Sequence, residues 1–368
     1  MNRSLTDRVD TYLVSITIML LMVGIANLYA ASWRENISDT PIYIKQIYWA
    51  VVGLAAMTAV LFIDYRTICR WAYAIYGVNL ALLVAVLFVG GGAGGAHRWF
   101  VFGPVSFQPS EFMKLSFILA VSSYFASVMR PDGLRIQDLL IPTAMTVVPA
   151  GLIMLEPDLG SAGLLVLLFL TMIFMIRMRP GTYVALGVAA LVTAPPVVFF
   201  GWRFLKPYQR QRIITFLNPE SDPLGSGYHI IQSKIAVGSG QLFGKGYLCG
   251  TQGQLKFLPE QHTDFIFSVL AEEWGFLGGL VFLGLLLLYV ARGAVISREA
   301  RDMFTSITAM GVTVLFLWQS FINIAMAVGI FPVVGIPLPF LSYGGSSLVT
   351  TLLGTGLLLN IHMRRRVF

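Results

Sequence analysis

Lys256-Phe257-Leu258-Pro259-Glu260-Gln261-His262-Thr263-Asp264-Phe265-Ile266-Phe267 closes a long polar segment and opens one of the most apolar runs in the chain. That change of character marks a helix leaving water for hydrocarbon, and it puts Asp264 on the last polar turn before the membrane. A carboxylate there is partly desolvated yet open to an aqueous substrate, which suits a general base. The competing reading of Asp264 is an N-cap, its side chain accepting backbone N–H groups at the helix start.

The same apolar character recurs outward from this stretch. Of the 368 residues, 57% are hydrophobic and only 12% charged, against about 25% charged in a soluble domain. Mean hydropathy is +0.77, and apolar runs of about 20 residues repeat along the chain. The fold class is therefore all-α polytopic membrane protein, with 1–368 as a single membrane domain. Ten spans can be drawn, at about 11–31, 43–63, 72–89, 112–128, 139–155, 160–176, 183–201, 265–290, 307–330 and 338–362. The first is too long for a signal-peptide core and lacks a small-x-small cleavage site, so it reads as a retained helix. Pro195-Pro196 should kink the seventh.

Orientation follows from the basic residues. With the N-terminus inside, 14 of the 25 Lys and Arg fall in inner segments and only Arg34, Lys45, Arg98 and Lys114 in short outer ones. Both termini then face the cytoplasm. The long segment of about 202–264, between helices 7 and 8, faces out. It has no low-complexity tract. The runs 208–217 and 228–237 suit short helices lying in the interface, apolar side down, so the loop reads as structured. The net charge of +7 is spread among short loops and carries no nucleic-acid signature. Cys69 and Cys249 fall on opposite sides and cannot pair.

Ionisable residues at membrane depth mark function by default. Glu111 and Lys114, three apart at the start of the fourth span, share a helix face. They read either as a structural ion pair or as a lysine aimed into a polar cavity with Glu111 orienting it. Asp158 could cap the sixth span. Glu272 and Glu273 would lie inside the bilayer and need partners or protons. Gln319 and Asn323 suggest interhelical hydrogen bonds. The turn at 332–343, rich in Pro and Gly, is non-helical backbone at depth, permitted only where it lines a cavity or is buried in protein. Four His and two Cys lie scattered without metal-ligand spacing. Gly90-Gly91-Gly92-Ala93-Gly94-Gly95 lacks the lysine of a phosphate loop and reads as a flexible outer loop. No nucleophile elbow accompanies His262.

Taken together, these motifs resemble the SEDS family (shape, elongation, division and sporulation), in its RodA, or elongation, branch. The matching pieces are His97-Arg98-Trp99-Phe100, Phe107-Gln108-Pro109-Ser110-Glu111 with Lys114, Glu156-Pro157-Asp158-Leu159-Gly160 and Tyr208-Gln209-Arg210-Gln211-Arg212. The runs 218–246, 258–267 and 337–346 continue the match, which covers essentially all ten spans.

The resemblance implies a peptidoglycan glycosyltransferase of the bacterial inner membrane, with its active site on the periplasmic side. Such enzymes polymerise lipid II, a disaccharide-pentapeptide on undecaprenyl pyrophosphate, onto a growing β-1,4 glycan strand. They work beside a class B penicillin-binding protein, the transpeptidase, and among membrane lipid. The family motif makes Asp264 the catalytic residue, and Glu111, Lys114 and Asp158 match other functionally sensitive positions. One carboxylate base fits this chemistry. The pyrophosphate leaves already acidic, so it needs cations rather than a proton donor. Lys114, Arg98, Arg210 and Arg212 are the cation candidates, and His262 adjoins the base as a further site-organising residue. No cofactor is called for, though a divalent cation accompanying the pyrophosphate stays open. Two other classes compete. A lipid-linked precursor flippase would fit ten spans, but no inverted repeat is visible. A non-catalytic scaffold that activates the transpeptidase would not require Asp264 at a desolvated boundary.

Overall fold

The computed structural model describes residues 9–33, 40–91, 97–103, 105–222, 225–254, 257 and 260–365. Lys256, Leu258 and Pro259 of the opening stretch, and most of the glycine run at 90–95, lie outside them. The long apolar helices are α1 (Thr11–Ser32), α2 (Ile42–Phe62), α3 (Tyr65–Val89), α4 (Pro109–Val128), α5 (Leu140–Leu155), α6 (Leu159–Phe174) and α7 (Pro180–Phe204). After the long polar segment come α11 (Ile266–Arg298), α12 (Met303–Ala327) and α13 (Gly345–Arg364). Among the described residues eight helices are long and apolar enough to cross a membrane, α5 counted with the 3₁₀ turn before it. Leu159–Phe174 and Pro180–Thr193 are apolar but shorter, so the expected count of ten rests on these two. α7 keeps its helical assignment through Pro195 and Pro196.

The bundle is centred on α13, which is buried along nearly its whole length. Its sequence allows this because small residues line its faces. A Cβ at Gly356 would lie 2.9 Å from the Met57 carbonyl oxygen of α2, and one at Gly354 3.1 Å from Val312 of α12. Lipid offers no hydrophobic drive between helices, so such close backbone approach carries the packing. α13 begins only at Gly345, seven residues later than the expected tenth span, because 332–344 stays non-helical and folds into the protein. An antiparallel hairpin, β1 (Phe100–Phe102) and β2 (Val105–Phe107), was not expected from the sequence. It is fastened to the start of α13: Ser346 Oγ accepts the Gln108 N–H at 3.0 Å and donates to the Ser106 carbonyl.

The long segment carries α8 (Pro207–Leu217), α9 (Ser226–Ser239) and the single turn α10 (Thr251–Gln254). The expectation that 228–237 lies apolar side down on lipid needs correction. α9 buries Ile230 and Ala236 in protein, and its Ser233 hydroxyl meets Ser268 of α11 at 2.6 Å and the Ala327 carbonyl of α12 at 2.6 Å. Beyond α9 the chain enters α11 itself. At Gly275 (φ 65°, ψ −165°) the helix breaks, and the freed groups are taken up across the gap. Phe276 and Leu277 N–H donate to the carbonyls of Gln241 and Leu242 at 2.8 and 3.1 Å, while Lys245 and Gly246 N–H donate to those of Glu272 and Glu273 at 3.0 Å each. Only glycine suits this point, since a Cβ at Gly275 would stand 2.2 Å from the Gly244 nitrogen.

The break sets two acidic residues apart from the longer half of α11. Residues 276–298 alone run about 34 Å at roughly 1.5 Å each, enough for a hydrocarbon core of about 30 Å. Glu272 and Glu273 fall on the loop side of the break, where the partners their burial calls for are supplied by the long segment. Glu272, fully buried, receives Lys245 Nζ at 2.6 Å, the Thr251 N–H at 2.8 Å and the Gln252 N–H at 3.1 Å.

Candidate active site

Asp264 ends a tight turn rather than beginning a helix. The turn closes through the Thr263 and Phe265 N–H groups on the Glu260 carbonyl, at 3.1 and 3.4 Å. The N-cap position of α11 is Phe265, and no side chain caps it. The competing capping role for Asp264 is thus not realised. The main chain around it is held from four directions. The His262 carbonyl accepts from Tyr343 N–H at 2.8 Å, that of Thr263 from Ser342 Oγ at 2.7 Å, that of Asp264 from Asn323 Nδ2 at 3.2 Å and that of Ile266 from Asn27 Nδ2 at 3.1 Å. Asn323 Nδ2 also reaches the Ile336 carbonyl at 2.8 Å. It thus serves the site's main chain rather than bridging two helices. A turn held this way fixes a carboxylate without using it, which is the condition for a preorganised base.

The electrostatics of that carboxylate are set by burial and three charged neighbours. Burial pushes the Asp264 carboxyl up from the ordinary 3.8 to about 6; Glu260 adds to the rise, Arg212 of α8 opposes it and Asp158 adds again. The loop at 332–344 supplies a wall, since a Cβ at Gly335 would lie 3.7 Å from Asp264 Oδ2. The α5–α6 corner comes close to the same loop: a Cβ at Gly160 would be 2.4 Å from the Val334 carbonyl oxygen. Within the corner Asp158 does cap α6, its Oδ1 accepting the Ser161 N–H at 3.0 Å. Arg98 grips the corner by its backbone, Nε donating to the Glu156 carbonyl at 2.6 Å and Nη2 to that of Pro157. Tyr208 Oη adds a 3.3 Å bond to the Pro157 carbonyl.

Of the residues singled out from sequence, the structure brings Asp264, Asp158 and Arg212 into one electrostatic group, with Arg98 one step away. His262 contributes its main chain to the clamp. Arg210 turns elsewhere: its Nη2 donates to the Arg203 carbonyl at 2.8 Å and its guanidinium lies 6.0 Å from the Trp202 ring centroid. Glu111 and Lys114 form a 2.6 Å ion pair with both side chains almost wholly buried. This fits an organising role within α4. Among the described residues no group of three or more His, Cys, Asp or Glu could hold a metal ion.

Sequence reasoning missed several members of the site. Glu260 acts directly on Asp264, and its place four residues before the base was the available signal. His229 of α9, with its ring 6.4 Å from that of Phe265, had no signal, because only the folding of α9 onto α11 brings it there. Glu156 was visible within its motif but was overshadowed by Asp158.

The comparisons with known proteins extend over the whole chain. The family model described as FTSW_RODA_SPOVE, cell cycle protein, matches residues 10–367. The peptidoglycan glycosyltransferase MrdB of Escherichia coli K12 is 40% identical over 351 residues, covering 95% of this chain and 94% of that protein. The peptidoglycan glycosyltransferase RodA of Treponema pallidum is 34% identical, covering 96% of this chain and 98% of that one. Among solved structures, a chain from a peptidoglycan synthase complex, described for its coordination of polymerisation and crosslinking, superposes with a TM-score of 0.82 at 33% identity, over 98% of this chain and 99% of that one. Matched from residue 10 to residue 367 by that family model and over nearly its whole length by these relatives, the chain belongs to the FtsW/RodA/SpoVE, or SEDS, family.

Proposed function

We propose that this chain, a peptidoglycan glycosyltransferase serving cell elongation, polymerises lipid II with Asp264 as general base. The observation that carries the reading is the Asp264 carboxylate itself: desolvated, uncapped, fixed by its main chain and faced by Arg212. In the reaction the acceptor sugar hydroxyl gives its proton to Asp264 as its oxygen attacks the anomeric carbon of the donor. The bond from that carbon to the pyrophosphate oxygen breaks, and undecaprenyl pyrophosphate leaves as an anion. Arg212 is the cation best placed to meet the departing charge. Arg98 keeps the corner bearing Asp158 in place, and Lys114 with Glu111 stiffens α4 behind it.

An apolar groove of about 570 Å³ between α1 and α11 supports lodging of the isoprenoid tail. Met22, Val23, Leu277 and Val281 line it, and so does Asn27, whose amide holds the Ile266 carbonyl two residues past Asp264. The arginine distribution supports a periplasmic site with both termini in the cytoplasm of this inner-membrane protein. The likeness to a chain of a peptidoglycan synthase complex supports a class B penicillin-binding protein as partner.

Purified protein with labelled lipid II, with and without the transpeptidase, tests the assignment. Glycan strands on a gel are expected, longer or more abundant with the partner. Lipid II moved across a vesicle membrane without strands would instead identify a flippase, and neither product would identify a scaffold.

A further inference from the structure

One carboxyl at the site has no role in this mechanism. Glu156 ends α5 with only 1% of its surface exposed, and neither of its carboxyl oxygens has a hydrogen-bond partner. Among the described residues, the polar groups that bear on this corner bond elsewhere. Arg98, from the segment before β1, donates to the main-chain carbonyls of Glu156 and Pro157 rather than to the carboxyl. Tyr208, from α8, also binds the Pro157 carbonyl. Asp158, at the head of α6, is the acidic group that bears on it and also bears on Asp264, which Arg212 influences with the opposite sign.

An ionised carboxylate with no hydrogen bond in such a place is strongly disfavoured, and a second anion beside it makes matters worse. We propose that Glu156 is a positioning residue that works as an uncharged carboxylic acid, leaving Asp158 the one anion that the α5–α6 corner presents toward Asp264. This rests on the assignment of Asp264 as the base. Loss of the Glu156 proton would set two anions side by side in the corner. It would pull Arg98 off the carbonyls it grips and repel an incoming diphosphate. Burial first, and Asp158 second, push the carboxyl up to about 8 against the pull of Arg98, so the charge would arrive as the pH rises through that value.

Two measurements test this. In the first, strand synthesis is followed against pH for the native protein, Glu156→Gln and Glu156→Ala. The amide copies the shape of the neutral acid, so Glu156→Gln should keep most of the native rate at neutral pH and hold it above pH 8, where the native rate falls. Glu156→Ala, leaving the corner unsupported, should be slower at every pH by about ten- to a hundredfold, the scale of a misplaced group. In the second, infrared difference spectra at neutral pH should show a protonated-carboxyl stretch in the native protein that Glu156→Gln lacks. Asp264→Asn should abolish turnover and keep that Glu156 band, so the band stands or falls apart from the base assignment. A Glu156→Gln protein that folds yet is as slow at neutral pH as Glu156→Ala would overturn the proposal. So would an unchanged alkaline fall in Glu156→Gln, or no difference band.

Discussion

Asp264 illustrates how one residue can work against the stability of the protein that holds it. Its carboxyl sits about two pH units above the ordinary value because burial penalises the anion. The stability linked to its proton is therefore fully present below about pH 4 and lost as the pH rises through about 6. At neutral pH the folded protein carries this penalty, on the order of 2–3 kcal/mol. Asp264→Asn should accordingly melt higher than the native protein at neutral pH and no higher below pH 4, in paired thermal scans. In the native enzyme, strand synthesis should rise with pH through about 6, since only the anion can take the acceptor proton. The Glu111–Lys114 pair makes the opposite case. Both side chains are buried and bonded at 2.6 Å, so Lys114→Met strands a carboxylate and should cost about 3–5 kcal/mol. Replacing both, as Glu111→Leu with Lys114→Met, should recover most of that loss, because two buried apolar groups leave nothing unpaired. Thermal melts of the single and double variants would check it.

At the scale of elements, the break in α11 decides what the long segment does. The chain at 240–252 enters the gap and completes four backbone hydrogen bonds there, with Lys245 and Glu272 pinning it. Gly275→Ala places a Cβ against the Gly244 nitrogen in a left-handed backbone position, so it should lower both melting temperature and strand synthesis. A variant that kept both would show that the gap tolerates closure. The sequence made the helices legible because each apolar run is long and its neighbours are polar. It also made the site's address legible, since Asp264 stands where polarity changes. The break was not legible: Gly275 follows Glu272-Glu273-Trp274 at the edge of an apolar run, and nothing local announces that Gln241 and Leu242 will come back to it. For the same reason the partners of Glu272, Lys245 and the N–H groups of Thr251 and Gln252, could not be named. The late start of α13 was half legible, since the Pro and Gly of 332–343 announced irregular backbone but not its length. The hairpin at 100–107 was hidden in a short run with no clear strand alternation.

For the whole molecule, the two faces differ in kind. The face with the long segment gathers Asp264, Asp158, Arg212 and Arg98, while the opposite end is tied by Asp10, which meets Arg292 of α11 at 2.5 Å and lies 3.7 Å from His362 of α13. Cys249 is exposed on the first face, and Cys69, at the start of α3, is half-buried near the second. An impermeant thiol reagent applied from the periplasm should label Cys249 at once and Cys69 only after permeabilisation. The reversed pattern would put the site on the wrong side for an extracytoplasmic polymer. The central claim, that Asp264 is the base of glycan synthesis, is met most directly by one measurement. Purified Asp264→Asn, bound to the proposed transpeptidase partner and given labelled lipid II, keeps the shape of the site and removes its basicity. The account predicts a folded complex that makes no strands at any pH, and substantial polymer from this variant would contradict it.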